Sequence, residues 1–112
     1  MKKDYNEIIT LIINNLDKVT ENPHQQCFSL WLRNGNVIDI FYLITNIKKI
    51  SSICQIKLSK YNPFIGKRDV DTFYVPGPEL DTDKVNDLLY TLIENRKDKR
   101  RERFLEFIKT SN

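Results

Sequence analysis

The sequence predicts an α+β fold: a four-stranded antiparallel sheet flanked in sequence by an N-terminal and a C-terminal helix, with both helices packed on the sheet. Three observations lead there. Between Cys27 and Ile44, two runs rich in Val, Ile, Phe, Tyr and Trp bracket Asn34-Gly35, a pair able to supply the positive φ angles of a hairpin turn. Apolar residues recur at spacings of three and four at both ends of the chain, and they alternate one by one in its middle. The 112 residues suffice for one domain with one core, in which 94–109 forms a charged helical extension.

The first helix is expected from Asp4 to Val19, with Asp4 as N-cap and Glu7 three residues later as in a capping box. Tyr5, Ile8, Ile9, Ile12, Leu16 and Val19 make its apolar stripe, widened by Leu11 and Ile13. Asn22-Pro23 ends it, because a residue before proline is pushed out of the helical region, and Thr20 to Gln26 reads as a connection. On the first strand, Cys27 to Arg33, the residues Phe28, Leu30 and Leu32 should face the core. The second, from Val37 to about Thr45, is apolar on both faces except at Asp39; Ile40 to Ile50 also fits a helical period, so the two readings compete there.

Ser51 to Lys60 alternates again, with Cys54, Ile56 and Leu58 opposed to Ile53, Gln55, Lys57 and Ser59. Tyr61 to Asp69 reads as an exposed loop, and Val70 to Val75 as a fourth strand stopped by Pro76-Gly77-Pro78. Asp81 or Thr82 then caps the last helix, whose buried stripe is Val85, Leu88, Leu89, Leu92 and Ile93.

Charge concentrates at the end. From Glu94 to Lys109 there are seven Lys or Arg and four acids, a surplus of three that equals the net charge of the whole chain, so the remainder is neutral. On an unbroken helix Arg96, Lys99, Arg100 and Arg103 continue the face that Leu88 and Leu92 bury, and Phe104, Leu105, Phe107 and Ile108 follow them. The expected partner-binding residues are therefore Arg96, Lys99, Arg100, Arg101, Arg103, Phe104 and Phe107, with Phe64, Lys67 and Arg68 of the loop second. A solvated helix with its aliphatic stems laid on the body is the competing reading.

Catalytic signatures are sparse. With three glycines and one histidine there is no phosphate loop, paired-Cys zinc motif or His-Glu-x-x-His, and no cofactor is expected. His24 with Cys27 falls short of a zinc ligand set. Asp39, Gln55 and Lys57 could recreate a metal-dependent nuclease only if they converge. Trp31, Phe41, Tyr42, Tyr61, Phe64, Phe73 and Tyr74 raise a further option, base stacking on an open sheet face beside Arg33, Lys57 and Arg68.

Cys27 and Cys54 are expected to be free thiols, since two cysteines are no disulfide framework. Alanine is absent while Ile, Lys and Asn abound, a bias of AT-rich coding that suggests a phage, a virus or a low-GC bacterium. No apolar run approaches bilayer length and no signal peptide is visible, so no membrane partner is expected, and the location expected is cytoplasmic, the host cytoplasm if viral or phage. The functional expectation is a small non-enzymatic binding protein, an inhibitor, adaptor or assembly subunit, whose partner is a protein with an acidic surface. Nucleic acid held through the same helix is the alternative, and homo-oligomerisation is left open.

Overall fold

The computed structural model describes residues 5–47, 49–75, 77 and 80–111. It is α+β with an antiparallel sheet, as expected, but the sheet has five strands. Helix α1 (Tyr5–Asn14) leads into β1 (Val19–Asn22), β2 (Cys27–Trp31), β3 (Asn36–Ile44), β4 (Ile50–Asn62) and β5 (Gly66–Tyr74), and α2 (Thr82–Thr110) closes the chain. The strands form an antiparallel meander in sequence order.

The extra strand comes from the stretch read as helix end and connection. The first helix stops at Asn14, a short 3-10 turn covers Leu16–Lys18, and β-branched Val19 and Thr20 then pair with Leu30 and Ser29. Val19 is buried as expected, but as a strand residue, whereas Leu11 is 39% exposed and widens nothing. The proposed cap Asp4, and Pro76 and Pro78, lie outside the described residues.

One ladder organises the core. Phe28, Ile40, Ile56 and Phe73 are direct cross-strand neighbours on β2 to β5, all buried, and they join Ile9 and Ile12 of α1 with Val85, Leu88 and Leu92 of α2 in one cluster. Both helices thus cover the same sheet face. Ile53 belongs to that cluster, against expectation, because a bulge leaves Cys54 without a partner between the pairs Phe41–Gln55 and Tyr42–Ile53 and reverses the alternation upstream of it. The competition over Ile40–Ile50 resolves as strand to Ile44.

Two hairpins, β2–β3 and β4–β5, also depart from expectation. Asn34 and Gly35 do take positive φ, 69° and 77°, but the reversal holds Arg33 to Gly35, closed by Leu32 N–H donating to Asn36 O at 2.8 Å. A Cβ on Gly35 would stand 2.5 Å from the Tyr61 carbonyl oxygen, so this turn lies directly against β4. The expected loop from Tyr61 to Asp69 is mostly strand: only Pro63, Phe64 and Ile65 connect β4 to β5, and Lys67 and Arg68 pair with Tyr61 and Lys60.

Candidate functional site

Helix α2 is capped by Asp81, whose carboxylate accepts from Asp83 N–H at 2.9 Å and Lys84 N–H at 3.5 Å. It runs unbroken for 29 residues, with Leu92 its last buried side chain. From there the helix leaves the core cluster, and residues 100–110 are all exposed, about 15 Å of bare helix.

Where α2 passes β1, Arg96, Lys99, Arg100 and Arg103 form one wall of a groove of about 370 Å³; Val19, Glu21 and Pro23 stand opposite. The four predicted cations do share a face, yet they do two different things. Arg96 Nε sits 2.9 Å from Glu21 Oε1 without hydrogen-bond alignment, an ion pair rather than a directed bond, and Lys99 Nζ donates to the Val19 carbonyl. With Asn95 Nδ2 donating to Leu16 O at 3.3 Å, these contacts fasten α2 to the body. Arg100 and Arg103 have no ion pair among the described residues, and neither has Arg101, which does not line the groove.

Beyond the groove Phe104, Leu105, Phe107 and Ile108 are 63%, 47%, 68% and 41% exposed. At 100° per residue Arg100, Phe104, Phe107 and Ile108 fall on one side of the helix, and Asp98, Glu102 and Glu106 fall on another. The arm thus offers unpaired arginines and large apolar side chains together, with the acids turned away.

The second predicted set divides as well. Phe64 is 93% exposed at the hairpin tip. Lys67 is ion-paired with Asp39, which is 2% exposed and also accepts from Ser29 Oγ at 2.6 Å. Arg68 is exposed on β5 with no ion pair among the described residues. None of these three residues lines the α2 groove.

Asp39 sits on the central strand, paired on both sides, and both its oxygens are engaged. Among the described residues no three His, Cys, Asp or Glu side chains are placed to hold a metal ion, which leaves the nuclease reading without a ligand set there. His24 is exposed and Cys27 buried, and burial pushes the Cys27 thiol up. On the open sheet face Trp31 and Tyr61 meet edge-on at 5.3 Å, Lys67 lies over Trp31, and Lys57 lies over Phe41. Those lysines are already neutralised by Asp39 and, at 3.4 Å, by Asp69, so phosphates would have to displace carboxylates, while Tyr42 and Phe73 are core residues on the other face.

Sequence reasoning missed Glu21, and it placed Tyr42 among the stacking aromatics when the residue is buried in the core. Tyr42 Oη donates to Glu21 Oε2 at 3.1 Å, and burial, followed by the Glu21 charge, pushes its phenol up to about 12. Its ordinary value is near 10, so the unfolded chain loses this proton first: the contribution is complete below about pH 10 and is lost as pH rises toward 12. A two-unit rise corresponds to ~3 kcal/mol at most. Urea melts at pH 9 and pH 11.5 should show wild type losing more stability between them than Tyr42→Phe; equal losses would refute the linkage.

No protein family, characterised protein or solved structure matches this chain.

Proposed function

We propose that this chain is a small non-enzymatic binding protein, acting as an inhibitor, adaptor or assembly subunit, and that its partner is a protein whose acidic surface surrounds an apolar pocket. The single observation supporting this is the bare arm of α2, where Phe104, Phe107 and Ile108 stand in water beside Arg100, Arg101 and Arg103. An exposed apolar group framed by unpaired cations matches the anatomy of a protein interface, with aromatic and arginine anchors inside a polar rim. A cytoplasmic setting and a phage, viral or low-GC bacterial source accompany this reading on compositional grounds. Among the described residues no helix is long and apolar enough to cross a membrane.

The test is capture from nuclease-treated lysate with wild type, Phe104→Ser/Phe107→Ser and Arg100→Glu/Arg103→Glu. The expected outcome is one acidic protein retained by wild type and lost with both variants. Capture indifferent to both substitutions refutes the arm. Nucleic acid held through the same helix is the second reading, favoured by the three unpaired arginines. It requires that binding to an oligonucleotide weaken steeply with salt, by roughly 0.9 in log K per log salt for each phosphate neutralised on duplex DNA.

A further inference from the structure

The β4–β5 hairpin tip is a second exposed apolar feature, remote in sequence from the α2 arm and built differently. Phe64 and Ile65 are 93% and 74% exposed, and open space surrounds the neighbouring Gly66, where an added Cβ would meet nothing within 4 Å. The tip is nevertheless held in shape. Asn62 Oδ1 accepts from Phe64 N–H at 2.8 Å, Gly66 takes φ of 80°, and the Gly35 turn presses on Tyr61 at the base. The two apolar side chains are presented on a convex point instead of lining a groove.

Behind them the chemistry changes in layers. From Lys60 to Arg68 the chain carries three cations and no acid. Lys60 and Arg68 are cross-strand neighbours, each four residues of chain or at most about 13 Å behind Phe64, and neither has an ion pair among the described residues. Arg33, in the turn that abuts Tyr61, is exposed and unpaired in the same sense. Trp31 and Tyr61, 48% and 41% exposed and packed edge-on, flank the base.

We propose that this tip docks on an anionic lipid bilayer, with Phe64 and Ile65 entering the interface and Lys60, Arg68 and Arg33 against the headgroups. The layering carries the choice of occupant. Apolar side chains entering to about 5–10 Å, cations at the charged surface and Trp and Tyr at headgroup level follow the order in which a membrane interface changes from hydrocarbon to water. A fluid interface also closes around a convex point, for which a protein would need a matching cavity. The lack of a spanning helix among the described residues concerns crossing a bilayer, and surface contact is a separate matter.

Sedimentation with phosphatidylcholine vesicles, with and without phosphatidylserine, tests this on the full chain. Wild type should pellet only with the anionic vesicles, and the emission of Trp31, the single tryptophan, should shift to the blue on binding. Phe64→Ser/Ile65→Ser and Lys60→Glu/Arg68→Glu should each lower the vesicle partition coefficient at least tenfold with unchanged thermal melts, since all four side chains are exposed. The arm variant Arg100→Glu/Arg103→Glu should bind vesicles as wild type does, which separates this test from the protein-partner reading. The proposal is overturned if wild type stays in the supernatant, if the tip variant binds undiminished, or if the arm variant alone loses binding. It is equally overturned if wild type binds soluble polyglutamate in the same buffer and ignores the vesicles, which would make the tip a contact for acidic protein.

Discussion

Truncating Leu92 to alanine is expected to cost about 3 kcal/mol, whereas truncating Phe104, a larger side chain twelve residues further along the same helix, is expected to cost less than about 0.5 kcal/mol. Leu92 is fully buried and lies where α2 leaves the core cluster, so its removal forfeits transfer free energy and opens a cavity between α2 and the sheet. In a domain of this size the loss should lower the melting temperature on the order of 15 °C. Phe104 is 63% exposed and lies outside the core cluster, so alanine there changes little in an isolated chain. Melts at two protein concentrations give the comparison its force. A loss above about 2 kcal/mol for Phe104→Ala that vanishes on dilution would show the arm packed against a second copy, and the proposed foreign partner would lose its docking surface.

That contrast along one helix was legible in the sequence, because an apolar stripe that ends at Leu92 and Ile93 and turns into Arg96, Lys99, Arg100 and Arg103 states where burial stops. The cap at Asp81 and the positive φ at Asn34-Gly35 were legible for similar reasons: each depends on side chains within a few residues. What escaped depends on pairing across the sheet. Val19 sits three residues after Leu16 and so mimics the last turn of a helix; only its register with Leu30 makes it a strand. The Cys54 bulge that turns Ile53 inward leaves no mark on a strict alternation. The site shows the same division. The shared face of the four cations follows from helical spacing, but Glu21, which neutralises Arg96, lies on a strand that local patterning did not reveal, and Asp39 holds Lys67 from two strands away.

The largest single electrostatic effect is expected at that last pair. Asp39 is 2% exposed on the central strand, and with Lys67→Met it would keep only the Ser29 hydroxyl at 2.6 Å and the Cys27 thiol at 3.8 Å. Removing one member of a buried pair costs about 3–5 kcal/mol because the survivor is an uncompensated buried charge. The Lys67 side chain is 38% exposed, and that partial solvation places the expected loss near the lower bound, about 3 kcal/mol. Asp39→Asn/Lys67→Met removes both charges and leaves an amide oxygen for Ser29, so it should return to within about 1.5 kcal/mol of wild type. Urea melts of wild type, both single variants and the double variant form the cycle that isolates the coupling. The pair joins β5 to β3 across β4, and it therefore sets how rigidly the hairpin carries Phe64 and Ile65 outward. A cost below about 0.5 kcal/mol for Lys67→Met would mean that Asp39 is hydrated in solution and that the turn packed on Tyr61 alone braces the hairpin.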